Sequence, residues 1–204
     1  FYGRIGLFRN QPGDMLLKRS DLVIAVGYDP IEYEARNWNA EIDSRIIVID
    51  NAIAEIDTYY QPERELIGDI AATLDNLLPA VRGYKIPKGT KDYLDGLHEV
   101  AEQHEFDTEN TEEGRMHPLD LVSTFQEIVK DDETVTVDVG SLYIWMARHF
   151  KSYEPRHLLF SNGMQTLGVA LPWAITAALL RPGKKVYSHS GDGGFLFTGQ
   201  ELET

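Results

Sequence analysis

The residues best placed to do chemistry lie near the carboxyl end, in Lys185-Val186-Tyr187-Ser188-His189-Ser190-Gly191-Asp192-Gly193-Gly194-Phe195. The stretch reads as a buried strand running into a Gly-Asp-Gly-Gly turn, with a helix expected next. A lone carboxylate between glycines at a strand's carboxyl end suits a hard divalent cation, which takes oxygen ligands. The glycines let the backbone come close to a phosphate, and the next helix offers free N–H groups. The same residues also describe a plain strand-ending turn whose Asp caps a helix, because so short a motif has little specificity. What precedes the turn decides between these readings.

Two further strand ends carry glycine. Thr134-Val135-Thr136-Val137-Asp138-Val139 is a β-branched strand that ends at Gly140-Ser141, and residues 142–150 look helical. His157-Leu158-Leu159-Phe160-Ser161 is another strand, leading into Asn162-Gly163-Met164-Gln165-Thr166-Leu167-Gly168. In an open parallel sheet the carboxyl ends of the strands share one edge, and ligands bind there. The arrangement suits a diphosphate bridged to the protein by a metal at Asp192. No glycine is followed by Lys-Ser or Lys-Thr at Walker spacing, and no GxGxxG is present, which weakens a nicotinamide reading. Asp50, at the end of an upstream strand, could meet a ribose, so a non-catalytic nucleotide-binding or regulatory module stays open.

The elements that must position these residues can be traced through the chain. Residues 169–180 (VALPWAITAALL) form an almost wholly apolar helix, expected to be deeply buried, with Pro172 tolerated in its first turn. Pro118 opens a helix over 118–129 with Leu121, Val122, Phe125, Ile128 and Val129 mostly on one face. Upstream, 21–27 (DLVIAVG) and 45–50 (RIIVID) read as buried strands, and 66–69 as a short edge strand. Asp69 caps a helix over 70–78, with Ile70, Leu74, Leu77 and Leu78 on one side. Residues 14–20 could form a short helix, and 31–40 a loop or short helix. Alternating strands and helices predict an α/β chain with two Rossmann-like parallel-sheet units, both incomplete. Residues 1–81 make the first, 82–115 a linker with one helix near 91–104, and 116–204 the second. The acidic run EFDTENTEEG in the linker reads as a solvated loop rather than a metal site.

Composition narrows the partners. The chain has 204 residues and a formal net charge of -14, from 33 acidic and 19 basic side chains. Such a surface argues against non-specific binding to nucleic acid or an anionic membrane, both polyanions. There is no cysteine, which excludes disulfides, zinc-thiolate sites and thiol catalysis, and fits a cytoplasmic setting. No apolar run reaches the ~18 residues needed to span a bilayer. The chain starts at Phe1 and stops at Glu203-Thr204 within a predicted helix, so a fragment of a longer protein is expected.

The segments SNGMQTLGVALPWAITAALL, GDGGFLFTGQELET and DVGSLYIWMAR resemble acetolactate synthase, in particular its catabolic branch. Gly191-Asp192-Gly193 resembles the start of the thiamine diphosphate motif, which closes further on at Asn-Asn. The likeness runs over nearly the whole chain: residues 1–80 look like the later part of the central domain, and 116–204 like the first half of the diphosphate-binding domain. It implies that Asp192 is the first ligand of a Mg²⁺ ion, with Gly193 and Gly194 as N–H donors behind it. Gly140 and Ser141 become a second diphosphate contact. The Gln165 carbonyl accepts from the cofactor's aminopyrimidine, and Leu167 wedges the cofactor into a bent form. For Leu167 the residues alone suggest plain core.

The resemblance further implies condensation of two pyruvate to 2-acetolactate and CO₂ through a hydroxyethyl-thiamine diphosphate carbanion, in a homodimer or homotetramer. Other thiamine diphosphate enzymes, such as pyruvate oxidase or benzoylformate- and indolepyruvate-type decarboxylases, share the turn. No catalytic residue is expected within the chain, since the activating glutamate belongs to an amino-terminal domain of the family. FAD-dependent relatives carry Arg-Phe-Asp-Asp-Arg where this chain has Tyr28-Asp29-Pro30-Ile31-Glu32-Tyr33-Glu34, so no FAD is expected. His117, His149, His157 and His189 read as helix start, surface, strand edge and strand interior, and none receives a role.

Overall fold

The computed structural model describes residues 2–5, 11–31, 33–41, 44–104, 114–161 and 163–203. The acidic run after His104 and the loop residue Asn162 lie outside them. The chain divides into two compact units, Phe1–Gln103 and His104–Thr204.

The first unit holds a parallel sheet of β1 (Leu22–Val26), β2 (Arg45–Asp50) and β3 (Arg64–Ile67), in that order. β2 is central and buries Ile46, Val48 and Ile49. Ala25 of β1, Ile46 and Val48 pack with Ala35, Trp38 and Tyr60 into one core cluster. Ala35 and Trp38 come from the short helix α2 (Ala35–Asn39). Trp38 Nε1 donates to Tyr28 Oη at 3.0 Å, and Tyr28 Oη donates to the Tyr33 carbonyl. The Tyr60 hydroxyl is pushed up to about 12 by burial first, then by Tyr28, Asp50 and Glu65 nearby.

The structure corrects several expectations for this unit. The 21–27 strand is not buried throughout: Ile24 and Val26 are exposed. β1 is an edge strand, and its alternate residues face opposite sides of the sheet, so only the Ala25 side meets the cluster. β3 sits two residues earlier than predicted and is exposed along its length. Helix α3 (Ile70–Val81) is capped as expected, Asp69 Oδ1 accepting from the Ala72 N–H at 2.8 Å. It runs on past Pro79, and none of its residues is buried among the described ones. Helix α1 (Pro12–Leu17) starts at a proline two residues before the predicted start, where the missing N–H costs nothing. Helix α4 (Lys88–His104), predicted within the linker, packs on this unit: Leu97 is buried, Tyr93 Oη donates to the Met15 carbonyl at 3.1 Å, and the Arg19 guanidinium lies 4.1 Å from the Tyr93 ring centroid.

In the second unit, β4 (Thr134–Val137), β5 (Leu158–Phe160) and β6 (Val186–His189) form a parallel sheet in the order β5-β4-β6. β4 is central and wholly buried, as its β-branched run requires. Its two threonines are satisfied: Thr136 Oγ1 donates to the Ala170 carbonyl at 2.7 Å, and Arg181 donates to Thr134 Oγ1. Helices α5 (Pro118–Ile128) and α6 (Ser141–His149) pack together, and α7 (Ala170–Leu180) covers β4 and β6. Phe125 of α5 meets the rings of Tyr187 and His189 on β6. Alternation then turns Ser188 to the opposite face. α7 is not deeply buried all round. Ala170, Leu171, Ala174 and Ala177 are buried, while Leu179 and Leu180 are 78% and 76% exposed. A helix that covers one sheet face buries one stripe, whatever its composition.

Candidate functional site at the carboxyl edge of the second sheet

Because all three strands of the second sheet are parallel, the segments after β4, β5 and β6 leave the same edge. Order β5-β4-β6 means the chain goes from the central strand to one side, then crosses to the other. Such a sheet has its ligand crevice where the direction reverses, at the ends of β4 and β6. Asp138 immediately follows β4 and Asp192 follows β6.

The Gly-Asp-Gly-Gly turn is the first turn of helix α8 (Asp192–Thr198), which continues as a 3-10 helix over Gly199–Glu203. Gly191 caps α8 and its carbonyl accepts from the Phe195 N–H at 2.9 Å. The amides of Asp192, Gly193 and Gly194 therefore have no intrahelical acceptor. Asp192 and Gly193 are exposed, whereas Gly194 is buried. The Asp192 carboxylate has no side-chain partner among the described residues. It lines an open cavity of about 350 Å³ with Leu171, Ser188, Ser190, Gly191 and Phe195.

Gly140 and Ser141 begin α6, with Gly140 at φ 148°, a backbone conformation that favours glycine. A Cβ on Gly191 would lie 3.6 Å from Leu142 Cδ2, so the β4–α6 junction and the Asp192 turn are neighbours. Gln165 and Leu167 are both exposed. Leu167 is thus not a core residue of this unit. Gln165 adopts φ 47°, a left-handed conformation that costs a residue with a Cβ free energy and clusters at functional loops. The Thr166 N–H donates to Ser161 Oγ at 3.1 Å, which fixes the loop at its β5 end.

Two residues of this edge carry no signal in the sequence reading. Asp138 is fully buried. Its Oδ1 accepts from the Val139 N–H, and both of its oxygens accept from the Gly168 N–H, each at 2.9 Å. Gly168 is at φ 81°, and its carbonyl accepts from Thr198 Oγ1 at 2.8 Å. A carboxylate immediately after a wholly buried β-branched strand is the one cue that could have exposed Asp138. Gly168 closes the glycine-bearing loop, but nothing local marks its contact with Asp138.

The histidines take the places expected of them, with one correction. His117 caps α5, its Nδ1 accepting from the Leu119 N–H at 3.2 Å. His157 Nδ1 lies 2.8 Å from the Asp131 carbonyl oxygen. His189 stacks on Phe125, and burial lowers its pKa. His149 is not at the surface: it is half-buried and stacked on Trp145, and burial, then the Arg148 charge, brings its pKa down to about 4.

The donor set fits a magnesium diphosphate. One exposed carboxylate, free amides in a glycine-flanked first turn and serine hydroxyls converge on an open cavity. Among the described residues no group of three or more metal-ligating side chains exists, so a cation here would take its remaining oxygens from the ligand or water. Among the same residues no helix is long and apolar enough to cross a membrane.

Residues 138–204 match the family described as thiamine pyrophosphate enzyme, C-terminal TPP binding domain, and residues 1–77 match the thiamine pyrophosphate enzyme central domain. The chain is 50% identical over its full length to an acetolactate synthase of Bacillus subtilis and 45% identical to a catabolic acetolactate synthase of Raoultella terrigena, covering 36% of each. It is 30% identical to a putative thiamine pyrophosphate-containing protein of Bacillus subtilis, of which it covers 35%. The chain spans about a third of the length of these relatives. Two matched domains in family order, on two parallel α/β sheets with a glycine-flanked carboxylate at the ligand edge, show that the chain belongs to the thiamine pyrophosphate-dependent enzyme family.

Proposed function

We propose that the protein carrying this chain is an acetolactate synthase that condenses two molecules of pyruvate to 2-acetolactate with loss of CO₂. The observation that carries this reading is the identity with acetolactate synthases, 50% and 45% across all 204 residues. When bound, thiamine diphosphate supplies an electron sink for the decarboxylated substrate. The residues of this chain bind and orient it. Asp192 would hold Mg²⁺ beside the diphosphate, and the first-turn amides of α8, with Gly193 and Gly194, would receive the phosphate oxygens. Gly140 and Ser141 form the second diphosphate contact. The Gln165 carbonyl would accept from the aminopyrimidine, and Leu167 would pack against the cofactor. Such packing would orient the cofactor's reacting groups, so a packing side chain would have a rate effect.

The reading includes further features. The protein is cytoplasmic and homo-oligomeric, a dimer or tetramer, and contacts neither nucleic acid nor membrane. It holds no FAD, because residues 28–34 after β1 carry no arginine, and Tyr28 packs against Trp38 and Tyr60; a flavin absorbance in the complete protein would overturn this. The 204-residue chain alone forms no acetolactate, since it spans only 36% of the synthases it resembles. A second reading, another thiamine diphosphate enzyme acting on a 2-oxo acid, is favoured by the 30% identity to a relative described only as thiamine pyrophosphate-containing.

Calorimetry of the complete protein tests the site. Thiamine diphosphate with Mg²⁺ binds, ADP and NAD do not, and Asp192→Ala weakens cofactor binding at least ~tenfold while the exposed side chain leaves folding intact. Acetolactate assayed from pyruvate then separates the two readings. Binding of ADP or NAD in place of the cofactor would sink both.

A further inference from the structure

Asp138 is fully buried and meets no cationic side chain within the described residues. Its carboxylate is received entirely by backbone amides, those of Val139 and Gly168. A buried carboxylate is costly unless its hydrogen bonds are made, and packing alone would be served by a neutral side chain. Its placement supplies another reason for it. The Asp138 N–H donates to the His189 carbonyl at 2.9 Å, which ties the ends of β4 and β6 together. Its oxygens hold the Gly168 amide, thirty residues further along the chain. A Cβ built on Gly194 would lie 2.2 Å from Oδ2 and 2.9 Å from Cγ, so α8 approaches the carboxylate as closely as a glycine permits. Gly168 is in turn held to α8 by Thr198, and a Cβ there would lie 2.7 Å from Phe197 Cβ.

Three segments therefore meet at one carboxylate. Gly168 adjoins Leu167, and Gly194 lies two residues from Asp192. We propose that Asp138 is a positioning residue that sets the spacing between the Gln165–Leu167 loop and the Asp192 turn, and so the conformation in which the cofactor is held. The assignment rests on the cofactor reading above. It adds a group that touches neither cofactor nor metal and works through the Gly168 amide and the Gly194 backbone.

The test uses the complete protein loaded with thiamine diphosphate and Mg²⁺. Asp138→Asn keeps the volume but replaces one acceptor with an NH₂ group, which faces the Gly168 N–H or the Gly194 backbone. The diphosphate contacts remain, so cofactor affinity by calorimetry changes by less than about threefold. Deuterium exchange at the thiazolium C2 of the bound cofactor, followed by NMR, slows roughly tenfold to a hundredfold. kcat falls with it while KM for pyruvate holds. Should Asp138→Asn fold poorly, Asp138→Ala/Gly194→Ala takes its place, because the new methyl occupies space that the carboxylate vacates; it too lacks the acceptor and slows exchange. An unchanged exchange rate in whichever variant folds, or a loss that tracks cofactor occupancy alone, overturns the proposal. Failure of the unsubstituted protein to bind the cofactor overturns the functional reading and the proposal together; normal binding with unaffected variants overturns only the proposal.

Discussion

Replacing Gly168 with alanine isolates the contact that locks the loop after β5 to α8. Gly163 and Gly168 bound the same loop and share nearly the same φ, 80° and 81°. A Cβ on Gly163 meets nothing within 4 Å, while one on Gly168 meets Phe197 Cβ at 2.7 Å, Thr198 Cγ2 at 3.2 Å and the Gly194 carbonyl at 3.4 Å. A left-handed conformation costs an L-residue about 1–2 kcal/mol, and this applies equally to both sites. Forcing a methyl into a filled space adds about 1–3 kcal/mol at Gly168 alone. Gly163→Ala is thus expected to cost about 1–2 kcal/mol and Gly168→Ala about 2–5 kcal/mol. Phe197 Cβ cannot swing aside, because it is fixed to the α8 backbone, so relief requires α8 to shift. Urea unfolding followed by the fluorescence of Trp145 and Trp173 measures both variants against the parent protein. Equal midpoints for the two alanine variants would refute the contact and, with it, the close seating of the loop on α8. A lower midpoint for Gly168→Ala, together with weakened cofactor binding, is the expected result.

Two further perturbations probe the scaffold. Asp69→Ala removes the cap of α3 and is expected to destabilise the first unit by about 1 kcal/mol in urea unfolding followed by Trp38 fluorescence; an unchanged midpoint contradicts the cap. His149 has a folded pKa of about 4, below its ordinary 6.5, so the folded second unit binds fewer protons than the unfolded chain between those values. Its contribution is full above pH 6.5 and is lost as pH falls toward 4. After discounting for partial exposure the loss is about 1–2 kcal/mol, and His149→Gln should flatten stability across this window. A parallel pH profile in the variant means that other groups govern the acid limb.

The elements themselves were legible because their signals are local. β-Branched runs such as Thr134-Val135-Thr136-Val137 state a buried strand, Pro118 and Asp69 state helix starts, and glycines state turns, each through the backbone conformations its own side chain permits. The Asp192 turn was legible for the same reason, and the resemblance supplied roles for Gln165 and Leu167 that spacing does not. Burial was less legible. The apolar runs at 21–27 and 169–180 predicted strands and helices buried all round, yet Ile24, Val26, Leu179 and Leu180 are exposed within their units. An apolar side chain is buried only where another element covers it, and that depends on strand order rather than on its neighbours in sequence.

From its sequence alone, the chain determines two parallel α/β units, a glycine-marked carboxylate at a strand end, and a strongly acidic surface. Tertiary structure alone decided what surrounds that carboxylate. It put Asp138 at the end of the central strand, gave its oxygens the Gly168 amide, and required a glycine at 194. It also made the Asp192 turn part of a helix and opened a cavity of about 350 Å³ beside it. The reason is separation along the chain: residues 138, 168 and 194 share no local pattern, and only the order β5-β4-β6 brings the ends of their elements to one edge.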